Sequence, residues 1–491
     1  MKSTEKISTP GAFMAKKTFY LAALLSLALF STRVFAVGSG GFENASFSAK
    51  SVAQANAVTA QADEPAAISY NPAGITQLKG IQVQPNAGFI SLFTFYDSDK
   101  QGSTRSSGTL NMVPTGYVTI NPGKILDDRL AVGVGFDSPF GFSNKYDSNH
   151  PAVHYTGYKN WLKMFTVKPV VAIKFADWLS VGAGPIYYRT YDFGSITAYP
   201  NRLVQQPFGP VPGPPLLNTF PDGQLRLDMS GNSWGWHFGA LLKPHKKHQF
   251  GFYFRSPTNM NLKGRIKVEN ATTLKTTFQV IPIPVPPFFV AFPNFDVSNN
   301  RAFESGGHTK MNLPLNITVG YAFKPNDRAT VEADFGFTRW STFNRLYINA
   351  TDSISQGDDA ILKAMGKIDT DWRNSFSLQL GGNYRFGKKF TLRGGTHFYW
   401  TPVPKTHFRP VIPDSNSLGF SLGAGYQIFP FLNLDLGYYN RFWLRRKIDN
   451  EVSEVLGTSV DGTYFSYGQE FILSLTYKWE SISDQLFKQK E

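Results

Sequence analysis

The chain has 491 residues, 17% of them charged and 15% aromatic, with no cysteine and a formal charge of +14. Its mean hydropathy of −0.22 excludes a bundle of apolar membrane helices. The missing thiols exclude disulfide staples, cysteine nucleophiles and cysteine metal sites.

Residues 1–36 read as a Sec signal peptide. Lys16-Lys17 form the basic start, Phe19 to Phe30 the short apolar run, and Val34-Phe35-Ala36 a cleavage site. Met14 is a natural alternative start. This segment holds five Lys/Arg and one acid, which leaves about +10 on the rest, a charge suited to anionic lipopolysaccharide and anionic ligands. Residues 37–80 are small and polar, end in Asn71-Pro72-Ala73-Gly74, and lack an apolar strand face. They read as a plug, or hatch, packed inside a lumen.

From Ile81 to Trp479 short stretches alternate apolar and polar residues. Phe471, Leu473, Leu475, Tyr477 and Trp479 share one face; Ser474, Thr476 and Lys478 share the other. Period-two alternation marks a half-buried strand. Fourteen candidates follow: 81–96, 110–121, 129–138, 161–175, 178–198, 224–243, 248–268, 309–323, 328–350, 372–386, 389–403, 416–428, 431–447 and 464–480. Their connections alternate long and short, and the short ones carry turn chemistry such as Asn121-Pro122-Gly123 and Lys324-Pro325-Asn326-Asp327. An even count of spanning-length strands with one-sided loops predicts an all-β fold. The expected architecture is a transmembrane antiparallel β-barrel of about fourteen strands over 81–480, with the hatch before it and a polar tail at 481–491. Trp161, Trp178, Trp372, Trp400 and Trp479, near strand ends, are expected at the membrane interfaces.

Two loops stand out. Residues 208–220 and 278–295 are apolar and proline-rich, and Phe278, Phe288, Phe289 and Phe292 make the second a candidate for capturing greasy ligands. Alternation along the strands points Lys168, Arg255, Arg373, Arg393 and His397 inward, with the acids Glu332, Asp334 and Asp435. The basic groups are candidates for holding a carboxylate, or for pairing with those acids and anchoring the hatch. Neither Gly-x-Ser-x-Gly nor His-Glu-x-x-His occurs, and the eight histidines form no metal-ligand pattern, so no enzyme, metal or cofactor is expected. A surface adhesin or phage receptor remains open, because any long loop can serve that way.

Asn71-Pro72-Ala73-Gly74 resembles the FadL family of outer-membrane long-chain fatty-acid transporters, which includes toluene and xylene channels. Ser138-Pro139-Phe140-Gly141, Trp234-Gly235-Trp236, Phe254-Arg255-Ser256, Asn312-Leu313-Pro314, Arg339-Trp340-Ser341-Thr342-Phe343, Thr401-Pro402-Val403-Pro404 and Ile412-Pro413-Asp414 continue the resemblance in order. The 269–308 loop and the tail after Trp479 depart from it. The resemblance implies a bacterial outer-membrane monomer. It would take up long-chain fatty acids or other hydrophobic compounds through capture on extracellular loops, passage past the hatch and sideways exit at a kinked third strand. It also adds Lys367 as a ligand-binding candidate. Pro139, with no N–H and a fixed φ, is the residue type expected to break that ladder at Ser138–Gly141.

Overall fold

The computed structural model describes residues 41–479 apart from 99, 109, 124–127, 200–221, 283–288, 355–358, 360–361, 364–365, 451 and 453–458; for 199, 270–282 and 289–301 it describes the backbone alone. The expectations for the signal peptide, the 208–220 loop, Phe288 and the C-terminal tail lie outside the described residues.

Fourteen antiparallel strands follow in chain order: β1 (Gly80–Ser98), β2 (Asn111–Asn121), β3 (Leu130–Asp137, resuming as Gly141–Lys145), β4 (Lys159–Ala176) and β5 (Leu179–Tyr199). Next come β6 (Gly223–His245), β7 (His248–Arg255, continuing as Thr258–Pro282), β8 (Phe289–Leu313, continuing as Asn316–Asn326), β9 (Ala329–Thr338) and β10 (Ser375–Phe386). The last are β11 (Phe390–Tyr399), β12 (Ser417–Phe429), β13 (Leu432–Ile448) and β14 (Gly462–Trp479). Each pairs with its neighbour, and β14 returns to β1 from Ile81↔Trp479 to Asp97↔Thr463, which closes the barrel. Closure matters because an open edge would leave N–H and C=O groups facing hydrocarbon.

The pleat sorts the side chains as the alternation predicts. Phe250, Leu392, Leu422 and Phe471 are exposed on the outer wall, while Tyr253, Arg255, His397 and Ser474 are buried inside. Trp178, Trp400 and Trp479 lie exposed, as interfacial rings would. Trp161 and Trp372 do not: both are buried, and Trp372 packs against Trp340 with ring centroids 4.9 Å apart. A tryptophan near a strand end can turn into a loop core as readily as out to a membrane.

Residues 278–282 and 289–295, expected in an irregular loop, are strand. β7 and β8 run on as a two-stranded ribbon, with Phe278 opposite Pro293, Gln279 opposite Phe292 and Pro282 opposite Phe289. Every strand of a two-stranded ribbon is an edge, and edges tolerate proline.

Residues 41–79 lie within the barrel. They form one short helix, α1 (Ala49–Ala53), and two 3-10 turns, Pro65–Ser69 and Pro72–Gln77. Ser48 caps α1 through a reciprocal bond pair with Ser51. Most of the segment is buried although it is small and polar, because its backbone bonds to wall side chains: Ala49 N to Ser474 Oγ at 2.8 Å and Ala66 N to Gln84 Oε1 at 2.9 Å. The wall comes close enough to demand glycine at points. A Cβ on Gly251 would stand 2.2 Å from the Thr59 carbonyl oxygen, and one on Gly239 2.3 Å from Asn71 Oδ1.

Candidate functional site

Toward the long-loop end an apolar cavity of about 120 Å³ opens. β3 gives it Phe142, β5 Phe193, β6 Leu225 and Leu227; the link between β9 and β10 gives Phe343, Leu346, Ile348 and Trp372. The link between β11 and β12 adds Val403 and Ile412 and two polar groups, His407 and Arg409. Phe42, from the N-terminal segment, completes the lining. Its ring centroid lies 4.8 Å from that of Trp340, 5.3 Å from Phe343 and 5.7 Å from Trp372. The volume is below the ~300 Å³ lower end of ordinary ligand pockets. A long ligand needs a lining side chain to move, and Phe42 is the one contributed by the N-terminal segment.

Thr156, Asn160, Ser195, Thr197 and Thr370 also line the cavity, and Arg409 is its guanidinium. It is half-buried, its Nε has no hydrogen-bond partner among the described residues, and burial pushes its guanidinium below its ordinary value against the pull of Asp369. His407 Nε2 stands 3.4 Å from Asp371 Oδ2 at the same rim.

Below the cavity the wall is interrupted. The β2–β3 ladder ends at Gly116↔Phe136, while the β3–β4 ladder stops at Asp137↔Thr166 and resumes from Gly141↔Lys163 to Lys145↔Lys159. Ser138, Pro139 and Phe140 leave both ladders. Their backbone is taken up by the N-terminal segment: Asn44 N donates to Pro139 O at 2.7 Å, Asn44 Nδ2 to Ser138 O at 2.9 Å, and Gly141 N to Phe42 O at 3.0 Å. Residues 42–44 therefore form a strap across the inner side of the break.

The rest of the N-terminal segment is fixed by polar contacts. Asn71 accepts from Ala73 N at 3.2 Å and donates through Nδ2 to Thr59 O at 2.8 Å and Ala240 O at 3.0 Å. Pro72 occupies the first position of its turn, where no N–H is needed. On β9, Asp334 Oδ2 accepts from Val58 N and Thr59 N at 3.1 and 3.0 Å, and Glu332 accepts from Ala60 N and Gln61 N at 2.5 and 2.9 Å. Two carboxylates thus hold four consecutive backbone donors. Burial pushes the Glu64 carboxyl up, against Lys50 and three donors, Ser48, Gln84 and Tyr70.

The basic candidates separate into distinct places. Lys168 is fully buried beside Asp137, 2.5 Å from its Oδ2, with Ser69 Oγ at 3.2 Å. Arg255 meets Glu43 at 2.6 Å, and Arg393 meets Asp435 at 2.7 Å. His397 bonds the Tyr439 hydroxyl at 2.8 Å. Arg373, expected inward, is exposed, because it precedes β10 and its pleat. Lys367 is exposed on a loop hairpin, 3.5 Å from Asp369. Phe278, Phe289 and Phe292 lie in the ribbon, whose backbone alone is described. None of the described basic candidates, nor His397, lines the cavity. Sequence reading missed Arg409, His407 and Glu43. The one available signal was a His-x-Arg inside a proline-rich loop, between Pro404 and Pro410.

A closed fourteen-strand barrel, a lumen filled by its own N-terminus and an apolar cavity above a broken strand define an outer-membrane transport channel for hydrophobic compounds. The family model described as outer membrane protein transport protein (OMPP1/FadL/TodX) matches residues 28–479, and the chain belongs to that family. It is 24% identical over 448 residues to the long-chain fatty acid transport protein of Shigella flexneri, covering 86% of this chain and 92% of that one. The counterpart in Escherichia coli K12 is 23% identical over the same length. Among solved structures it resembles a FadL homologue of Pseudomonas aeruginosa, with a TM-score of 0.73 and 20% identity over 89% of this chain and 99% of that one. It also resembles the Pseudomonas putida toluene transporter TodX, with a TM-score of 0.59 and 16% identity over 85% and 94%. At those identities the two structures speak to the fold.

Proposed function

We propose that this monomeric channel takes up long-chain fatty acids. The long-loop end faces outward and receives the ligand. The chain enters the apolar cavity and its carboxylate meets Arg409. Movement of Phe42 and the hatch behind it, residues 41–79, opens the way to the break at Ser138–Phe140. The ligand then leaves sideways into the membrane. No bond is made or broken. The observation that carries this reading is the cavity itself: mostly apolar and aromatic, with a few uncharged polar groups and one half-buried guanidinium. A half-buried guanidinium whose Nε has no hydrogen-bond partner among the described residues is costly, and a ligand carboxylate that supplies one recovers part of the loss.

The test compares ligands of equal chain length. Arg409→Met should weaken oleate binding roughly tenfold, the size of one charged hydrogen bond, and leave oleyl alcohol within about twofold. Tryptophan-fluorescence titration of the detergent-solubilised protein reads both. Equal losses for the two ligands would remove Arg409 from head-group recognition.

A second reading, passage of monoaromatic hydrocarbons, is favoured by the small volume and the Phe42, Phe343 and Trp372 rings. Saturable toluene binding that is indifferent to Arg409→Met, with no oleate binding, would select it.

A further inference from the structure

Among the described residues, the Arg255–Glu43 contact at 2.6 Å is the one ion pair that joins the barrel wall to the N-terminal segment. Other lumen cations are answered by the wall itself, Lys168 by Asp137 and Arg393 by Asp435. Glu43 rides on the strap over the break, and Arg255 sits directly behind it, its guanidinium 4.7 Å from the Phe140 ring centroid.

This corner holds more donors than Glu43 uses. Arg255 Nε, both ring nitrogens of His237 and the Tyr253 hydroxyl lack hydrogen-bond partners among the described residues. His237 stands directly across the ladder from Arg255, its ring 6.2 Å from that of Tyr253. All three residues are at most 4% exposed. Buried polar atoms are normally paired, so a cluster of unpaired ones beside a guanidinium marks a place built for an acceptor-rich group.

We infer that Arg255, His237 and Tyr253 form a second, internal carboxylate subsite, and that Glu43 occupies it as a stand-in for the ligand's head group until a long-chain carboxylate displaces it. The inference rests on the fatty-acid reading above and adds how the ligand's charge opens the strap. If the strap lifted alone, the Arg255 guanidinium would be buried without a counter-charge, which is strongly unfavourable. Exchange of one carboxylate for another keeps the corner neutral throughout. A ligand of the same length without the charge cannot make the exchange, so the strap stays shut against it.

Glu43→Gln removes the internal competitor and keeps the shape. Oleate should then bind roughly tenfold more tightly, while oleyl alcohol changes less than about twofold. Because the chain has no cysteine, Ala45→Cys gives a single reporter immediately after the strap. Its maleimide labelling should speed up several-fold with oleate and stay constant with oleyl alcohol, and this reading stands if Glu43→Gln fails to assemble. Parallel shifts for both ligands, or oleate binding indifferent to Glu43→Gln with a label that never responds, would overturn the inference. Oleate binding that still needs Arg409 would in that case leave the functional reading intact. Absence of saturable oleate binding by the unaltered protein would remove both.

Discussion

Gly141→Arg should reduce oleate uptake to background in cells lacking their own transporter, with surface abundance and oleate binding unchanged. Gly141 is the first residue of β3 above the break, is buried, and donates its N–H to the Phe42 carbonyl. It does not line the apolar cavity. An arginine there places a long charged side chain where the β2–β3 ladder is missing, so a ligand already captured finds the side opening filled. The separation of binding from uptake is the diagnostic. Normal uptake would mean that the ligand continues down the barrel and that the break at Ser138–Phe140 is only a strand irregularity.

Replacing both Glu332 and Asp334 with leucine should dislodge the hatch while the barrel still assembles. The substitutions leave the N–H groups of Val58, Thr59, Ala60 and Gln61 buried without acceptors. Each buried orphan costs about 1–3 kcal/mol, so four cost roughly 4–12 kcal/mol. That is comparable to the whole stability of an ordinary domain. The fourteen-strand ladder keeps its own hydrogen bonds, so heat-modifiable migration on gels should persist. Ionic conductance in planar bilayers and sensitivity to large polar antibiotics should both rise severalfold. The amide pair Glu332→Gln with Asp334→Asn keeps an acceptor at each position and should show a milder form of the same effect. Conductance equal to that of the unaltered protein would show that these carboxylates do not hold the hatch.

What was legible in the sequence follows from range. Strand alternation is a two-residue signal, so Phe250, Leu392 and Phe471 declare their side of the wall without knowledge of the rest of the barrel. Pro139 likewise announces a missing donor wherever it sits, and the break appears there. That 37–80 would hold no wall strand was legible because small residues lacking an apolar face do not build one, and the described part, 41–79, forms none.

The site was less legible because its partners are set by closure and loop packing. Nothing local says that Arg255 meets Glu43, more than two hundred residues earlier, rather than Glu332 or Asp334. Pairing with basic side chains is one of the two roles the sequence leaves open for those acids, and in the structure they hold backbone N–H groups. Arg409 escaped notice because the cavity draws its lining from several strands and two separate loops. Alternation cannot describe a wall assembled that way. Arg373 was misplaced because the pleat begins only at Ser375, two residues later.

The junction of β1 with β14 has a consequence for biogenesis. Ile81 and Trp479 stand nearly a whole chain apart, yet the cylinder is sealed only when they meet. Residues 41–79 emerge before any stave exists, and their contacts are spread over strands made early and late, from Gln84 on β1 to Ser474 on β14. Staves that gather around this segment would use the N-terminus as the mandrel on which the cask is raised. Deleting it should slow the final sealing step in refolding from urea into lipid vesicles, even though no strand has been altered.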